Sequence, residues 1–138
     1  MEELSVLDWI LERASIFHCH MGPFLALGVK AGLRAIEVLG YEPFKMRAKV
    51  IALRKRAPYT CFADGVQFTT GCTLGKGNIE VCEGEGLKAI FTLGSRKLEL
   101  EVRKNVLKNV ESSVDLEAKA RDIMRARLLD VFEERLSP

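Results

Sequence analysis

The chain has 138 residues, the size of one domain, and we expect a single core domain over residues 1–138. Hydrophobic residues make up 48% and charged residues 29% of the sequence, a profile typical of globular proteins that excludes general disorder. Its 21 lysines and arginines nearly balance its 19 aspartates and glutamates, so the net charge of +2 argues against nucleic-acid binding.

Two segments lack the features of a secretory signal and of a membrane span. The acidic start of the sequence, MEEL, lacks the positive charge that opens a secretory signal. The most apolar stretch, residues 21–40, contains three charged residues, whereas a membrane span needs about 20 mostly apolar ones. We therefore expect a cytoplasmic protein with no membrane partner, whose four cysteines are free thiols. The sequence has no CxxC pair, which excludes a zinc ribbon within it.

Hydrophobic periodicity predicts two helices in the first third of the chain. A short amphipathic helix covers residues 4–14, and a longer, mostly buried helix covers residues 23–39, beginning at a proline and ending before a glycine. Gly28 and Gly32 indicate that another backbone approaches this second helix closely, because glycine costs about 1 kcal/mol relative to alanine in a helix interior. We favour a neighbouring element of the same chain, and a helix pair across a dimer interface is the alternative.

The rest of the chain shows strand patterns and two further helices. Residues 44–50 have the period of a half-buried strand, with lysines and an arginine on one face. A helix capped by Thr60 covers residues 60–70. A meander of three strands and a long C-terminal helix follow, at residues 78–82, 87–93, 97–103 and 114–136. The predicted fold is α+β: an antiparallel sheet of about four strands packed with an N-terminal helix pair and the long C-terminal helix.

Both histidines of the chain lie beside a cysteine just before the second helix, as His18, Cys19 and His20. Imidazole and thiolate are the usual ligands of zinc and related metals, and two histidines at i and i+2 of an extended segment project to the same side. The alternative is a pair of hydrogen-bonded loop histidines. Because both histidines cluster with a thiol, we favour a metal-binding or catalytic role.

A second segment combines two cysteines with polar residues of the helix predicted at 60–70. Cys61, Asp64 and Gln67 follow one another at three-residue spacing, so they lie on one face of that helix. Cys72 follows the helix at the start of a glycine-rich loop. The segment therefore offers two thiols, a carboxylate and an amide within one short stretch of chain.

The glycine-rich loop is a candidate anion site. Gly75, Lys76 and Gly77 could bind an anion through backbone amides and the lysine. A P-loop requires four residues between its glycine and the Gly-Lys pair, whereas three residues separate Gly71 from Gly75. The loop is therefore at most a looser anion nest.

These two segments resemble the patterns of the FmdE family, which is named after a component of formylmethanofuran dehydrogenase. The family's first pattern is close to F-H-G-H-x-C-P-G, and its second is C-x-x-D-A-I-Q-x-x-T-G-C-T-x-G-K-G-N. The matching residues are Phe17, His18, His20, Pro23, Cys61, Asp64, Gln67, Thr70, Gly71, Cys72, Thr73, Gly75, Lys76, Gly77 and Asn78. This chain departs from the first pattern at Gly22, where the family has cysteine, and at Cys19, where the family has glycine.

The resemblance implies an α+β core, commonly a homodimer, with the histidines and cysteines around a cleft that is a metal site or an active site. The family takes its name from association with a molybdenum or tungsten enzyme of methanogenesis. Its members often add a C-terminal zinc finger, which this sequence does not contain. The resemblance thus suggests association with a redox enzyme complex.

We therefore expect an FmdE-like protein that binds a metal, with zinc as the first choice and nickel or iron as alternatives. The expected ligands are His18, His20, Cys61 and Cys72, and the residues expected to support them are Asp64, Gln67 and Cys19. The expected role is that of an accessory or assembly factor of a molybdenum or tungsten formylmethanofuran dehydrogenase, or of a related redox system.

Two other functions fit the same residues. One is a cysteine-dependent enzyme acting on a small anionic substrate, with Cys72 or Cys61 as the nucleophile, His20 as the base and the Lys76 loop binding the anion. The other is an interaction module that uses the basic face of the first strand. A bound metal distinguishes the leading hypothesis from the enzyme, because the metal would occupy the thiolates.

Overall fold

A computed structural model describes residues 5–138 and gives an α+β fold over that range. Six helices and five strands lie within it. Their bounds are α1 Val6–His18, α2 Pro23–Leu39, β1 Arg47–Ala52, α3 Cys61–Thr70, β2 Ile79–Glu83, β3 Leu87–Leu93, β4 Arg96–Val102, α4 Lys104–Glu111, α5 Leu116–Arg125, α6 Leu128–Val131 and β5 Phe132–Ser137. The strands form one sheet, against which α2 and α3 pack. The α+β class predicted from the sequence is confirmed.

The sheet is mixed rather than wholly antiparallel, with the strand order β2-β1-β3-β4-β5. β1 and β2 are parallel, and all other neighbours are antiparallel. The expected meander is therefore limited to β3 and β4, because β1 lies between β2 and β3. The link from β2 to β3 crosses the end of β1, where the Gly84 amide donates to the carbonyl oxygen of Ala52 at 2.9 Å. Hydrophobic period fixes which face of a strand is buried, but it does not fix which strands pair.

The prediction of one long helix over residues 114–136 is wrong, because this stretch forms α5, α6 and the edge strand β5. α5 ends where the Lys30 ammonium donates to the carbonyl oxygens of Met124 and Ala126, at 3.3 and 2.5 Å. β5 pairs with β4, and Arg34 donates to both carboxylate oxygens of Glu134, at 2.7 and 3.0 Å. These tertiary contacts determine the local structure, and the hydrophobic periodicity of a single sequence carries no information about them.

The glycines of α2 mark its contact with α3. A Cβ at Gly28 would lie 2.0 Å from the carbonyl oxygen of Phe62, and a Cβ at Gly32 would lie 1.7 Å from Oγ1 of Thr69. The two helices therefore touch backbone to backbone, as the favoured interpretation of these glycines predicts. Because α3 of the same chain covers this face of α2, the face is not available to a second copy.

Helix α2 is the central element of the core. It covers the residues expected from the sequence, 23–39, and eleven of its residues are buried. It packs against α3 and α5 and lies over β3 and β4. No helix within residues 5–138 is long and apolar enough to cross a membrane.

Candidate metal site

The turn between α1 and α2 carries both histidines. The helix expected over residues 4–14 is α1, which begins after Ser5 and continues to His18; position 4 lies outside the described residues. The Ser5 hydroxyl accepts from the Asp8 amide at 3.0 Å. Cys19 then adopts a left-handed conformation with a φ of 70°, and the chain turns towards α2 through His20. The segment from His18 to His20 is therefore a helix end followed by a turn, and not the extended segment that was expected.

A short hydrogen bond fixes the ring of His18. Its Nδ1 donates to Oδ2 of Asp64 at 2.5 Å, and its side chain is only 14% exposed. Oδ1 of Asp64 accepts from Nε2 of Gln67 at 3.3 Å, and Oε1 of Gln67 accepts from the Leu74 amide at 3.0 Å. Since Nδ1 is occupied, Nε2 is the His18 nitrogen that remains for a metal ion or a proton.

Cys61 brings a half-buried thiol to the same place as the first residue of α3. Thr60 precedes the helix as expected, but its hydroxyl makes no capping hydrogen bond. Burial raises the pKa of the Cys61 thiol, and the negative charge of Asp64 raises it further. The thiol is therefore protonated at neutral pH unless a nearby cation lowers its pKa.

His18 and Cys61 line two cavities that meet at these residues. The smaller cavity has a volume of about 220 Å³ and is also lined by His20 and by apolar side chains of α2, α4 and α5. The larger cavity has a volume of about 830 Å³, lies between α3 and β2, and is also lined by Asp64 and Gln67. The two sequence motifs thus meet around one pair of side chains.

One wall of the smaller cavity, formed by Tyr59 and Glu111, was not predicted from the sequence. Tyr59 lies edge-on to Phe24 with the ring centroids 5.2 Å apart, and its hydroxyl donates to Oε2 of Glu111 at 2.7 Å. The hydrogen bond to Glu111 raises the pKa of the Tyr59 hydroxyl. Glu111 ends α4, a helix outside both motifs, and nothing in its sequence pattern points to a site.

The structure does not bring Cys72 to the histidines. Its side chain is fully buried, and its Sγ donates to the carbonyl oxygen of Met46 at 3.4 Å. Burial raises the pKa of the Cys72 thiol. Gly71 ends α3 with a φ of 77° and turns the chain into the core, away from Cys61 at the other end of the helix. Cys72 is therefore a core residue in this conformation.

Cys19 is also separate from the cavity. It is exposed, and its thiol lies 3.7 Å from the carbonyl oxygen of Ile16 within α1. Over residues 5–138, no group of three or more histidine, cysteine, aspartate or glutamate side chains is close enough to hold a metal ion. Of the expected ligands, His18, His20 and Cys61 nevertheless share the lining of one cavity.

The glycine-rich loop uses its own amides internally. The amides of Lys76 and Gly77 donate to the carbonyl oxygen of Thr73, at 3.2 and 3.0 Å, and the Thr73 amide donates to Oδ1 of Asn78 at 2.9 Å. The Lys76 ammonium lies over the ring of Phe44, 5.2 Å from its centroid. These contacts close the loop on itself and give no support to the expected anion site.

A sequence profile described as "FmdE, Molybdenum formylmethanofuran dehydrogenase operon" matches residues 17–134. The chain belongs to the FmdE family. The matched range contains the turn with both histidines, the whole of α3 and the loop that follows it. The family assignment made from the two motifs is thereby confirmed.

Two similar proteins place this FmdE chain among known ones. Over 78 residues, 54% of this chain, it is 41% identical to a probable S-adenosyl-L-methionine-binding protein of Archaeoglobus fulgidus, and the match covers 21% of that protein. The chain thus spans about a fifth of the length of this relative. The crystal structure of a tungsten formylmethanofuran dehydrogenase FmdE-like protein from Syntrophus aciditrophicus superposes with a TM-score of 0.66, covering 99% of this chain and 77% of that one. At 18% identity, this likeness shows the FmdE fold alone.

Proposed function

We propose that this FmdE chain binds one transition-metal ion, zinc in the first place, through His18, His20 and Cys61. The hydrogen bond between His18 and Asp64 carries the proposal. Histidines that ligate metals almost always donate their other ring N–H to a carboxylate, a carbonyl or a water, which fixes the tautomer and the ring orientation. His18 has this arrangement with Asp64.

The donor types fit zinc. Two imidazoles and one thiolate are a set that zinc accepts, and zinc held by three protein ligands keeps a fourth position open for water or substrate. His18 and Cys61 are held by a helix end and a helix start, whereas His20 is exposed in the turn between α1 and α2. Because no three such side chains within residues 5–138 are close enough to hold a metal ion, the proposal requires His20 to move towards His18 and Cys61, and it leaves Cys72 in the core.

The thiol supports a metal ligand better than a nucleophile. A cysteine-dependent enzyme needs a thiol with a lowered pKa, whereas burial and Asp64 raise the pKa of Cys61. Cys72, the other candidate nucleophile, is fully buried. The raised pKa does not prevent Cys61 from binding a metal, because a thiol that coordinates a metal cation is deprotonated.

We further propose an accessory or assembly role beside a molybdenum or tungsten formylmethanofuran dehydrogenase, or beside a related redox system. Membership of the FmdE family supports this role. A homodimer and a place in methanogenesis are proposals that rest on the family resemblance alone.

Zinc titration of chelator-treated protein against a competing chromophoric chelator tests the metal proposal. We expect about one zinc per chain for the wild type, and loss of this binding in His18→Ala and in Cys61→Ala. Cys72→Ala is the matched thiol control and should keep the stoichiometry, provided that circular dichroism shows it folded. A wild type that binds no metal overturns the proposal and leaves the enzyme hypothesis, which selective alkylation of Cys61 would test next.

A further inference from the structure

The smaller cavity has the size of a pocket for a small molecule. Its volume of about 220 Å³ exceeds the roughly 150 Å³ of an apolar protein cavity that binds benzene, so it has room for one ring with a small substituent. Its wall is mostly apolar and includes the edge-on pair of Phe24 and Tyr59. The other apolar side chains in its lining are Pro23, Leu25, Pro58, Val110 and Leu116. The cavity therefore suits a small molecule with a compact apolar body.

One polar wall of this cavity has no side-chain hydrogen left to donate. It consists of Tyr59, Glu111 and Ser113. The Tyr59 hydroxyl donates to Oε2 of Glu111 at 2.7 Å. The Ser113 hydroxyl donates to the carbonyl oxygen of Val110, also at 2.7 Å. An ionised carboxylate only accepts hydrogen bonds, and each hydroxyl has a single proton. A ligand that forms a hydrogen bond with these side chains must therefore supply the proton.

The charges around this wall favour a neutral ligand. Glu111 is a carboxylate, and the residues within 5–138 that line the cavity include no lysine or arginine. An anion would therefore be repelled without a compensating cation. Arg54 and Arg56 lie outside the lining, yet their positive charges act on the Tyr59 hydroxyl and oppose the rise in its pKa that its hydrogen bond to the carboxylate causes. Because these arginines offset part of the negative charge, a cationic ligand gains little from it.

We infer that the smaller cavity binds a small neutral molecule that joins a compact apolar body, such as a single ring, to one hydroxyl or N–H group. The apolar body would fill the space beside Phe24 and Leu25, and the hydroxyl or N–H group would donate to Glu111 or to the oxygen of Tyr59. An apolar pocket with a few placed polar groups is the usual form of a small-molecule site. This ligand differs from the small anion expected for a cysteine-dependent enzyme.

The connection of this ligand to chemistry rests on the proposed function, because His18, His20 and Cys61 line the same cavity. A zinc ion with three protein ligands keeps a fourth position open, and the ligand in the cavity is the molecule that would reach it. Binding to the Tyr59 wall does not itself require the metal. Failure of the metal proposal appears in the zinc titration and leaves ligand binding to the metal-free protein intact. Failure of the ligand inference appears in ligand binding and leaves the zinc stoichiometry intact.

The probes are phenol, anisole and benzoate, added to the metal-free protein and followed by the NMR shifts of the Leu25 and Val110 methyl groups. Phenol can donate a hydrogen bond, anisole has the same ring and oxygen without the donor, and benzoate carries a negative charge. We expect saturable binding of phenol with a dissociation constant of about 1 mM or lower. Anisole and benzoate should bind at least tenfold more weakly, because neither can donate to the carboxylate of Glu111.

Glu111→Gln changes the donor pattern of the wall, because the amide group of glutamine can donate to a ligand. The preference for phenol over anisole and benzoate should therefore fall at least tenfold, whereas a purely structural role of Glu111 would weaken all three ligands alike. Glu85→Gln, at an exposed position in the turn after β2, is the matched control and should keep the wild-type preference. Leu116→Trp adds bulk to the lining from a position that is 40% exposed and should abolish phenol binding.

Three results would overturn the inference. They are equal affinities of phenol and anisole for the wild type, a preference for phenol that is unchanged in Glu111→Gln, and methyl groups of Leu25 and Val110 that do not respond to millimolar phenol. Tighter binding of benzoate than of phenol would assign the cavity to an anion and would overturn it as well.

Discussion

At the scale of residues, a chain of hydrogen bonds joins the two sequence motifs. It runs from the Leu74 amide through Gln67 and Asp64 to the ring of His18. Because the last bond fixes the tautomer of His18, the carboxylate of Asp64 sets which nitrogen is offered to a ligand. The loop after α3 thus helps to orient a histidine that lies more than forty residues earlier in the sequence.

Asp64→Asn should lower zinc affinity by about 10- to 100-fold, because carboxylates that orient ligating histidines contribute this much in other metal sites. The fold should stay intact, since Asp64 is partly exposed and lies at the cavity rather than in the core. Competition titration measures the affinity, and Asp122→Asn, an exposed site on α5, is the matched control. Equal affinities of Asp64→Asn and the wild type would show that the hydrogen bond to His18 is not used in metal binding.

Helical spacing predicted the relative positions of the first residues of the second motif. It placed Cys61, Asp64 and Gln67 on one face of α3, and in the structure all three line one cavity. It gave no direction for Cys72, because the left-handed turn at Gly71 decides that direction and periodicity ends with the helix.

The later part of this motif is structural. The Asn78 side chain donates to the carbonyl oxygens of Pro43 and Met46, at 2.7 and 3.0 Å, and the Thr70 hydroxyl accepts from the Cys72 amide at 3.1 Å. The Asn78 bonds tie the loop after α3 to the segment before β1, and the Thr70 bond fixes the start of the loop. The second motif therefore has two parts. Residues 61–67 line the cavity, and residues 70–78 hold the loop after α3 in place.

At the scale of elements, the contact between α2 and α3 positions the site, because Cys61 and Asp64 are carried by α3. Gly28→Ala places a methyl group on the carbonyl oxygen of Phe62 and should destabilise the protein by about 1–3 kcal/mol or more, as overpacking does. Gly75→Ala has open space around its Cβ and should change stability by less than about 0.5 kcal/mol. Urea denaturation of both variants checks this, and equal stabilities would contradict the packing of α2 on α3.

The ion pair between α2 and β5 gives a pH-dependent prediction. The hydrogen bonds from Arg34 hold the pKa of Glu134 below its usual range, so the pair stabilises the fold above the unfolded pKa of about 4.3 and loses this effect as the pH falls through the lowered value. Glu134→Gln should cost about 1–2 kcal/mol at pH 7. Denaturation at pH 7 and at pH 3 should show a smaller difference from the wild type at the lower pH. A difference that is constant across this range would show that charge is not its origin.

Elements were predicted best where local pattern and tertiary packing agree. The bounds of α2 follow directly from a proline, a glycine and a buried apolar run. The C-terminal region was predicted poorly because Lys30 and Arg34, both on α2, determine where α5 ends and where β5 lies. Such contacts join residues about one hundred positions apart, beyond the reach of any periodic pattern.

At the scale of the whole molecule, the fold brings three chain segments to one place. α1 ends at His18, α3 begins at Cys61, and the free edge of β2 lies beside both. Two of the metal ligands proposed here, His18 and Cys61, are thus held by helix termini. The FmdE fold builds the site from segments that the sequence spaces far apart.

X-ray absorption at the zinc edge of the reconstituted protein tests the central claim most directly, because it counts the ligands by type. The account predicts one sulfur at about 2.3 Å and two imidazole nitrogens at about 2.0–2.1 Å, with the remaining position taken by a light atom. Two sulfurs at the metal would contradict it, since Cys72 or Cys19 would then have to leave its position in this structure to reach Cys61 and the histidines.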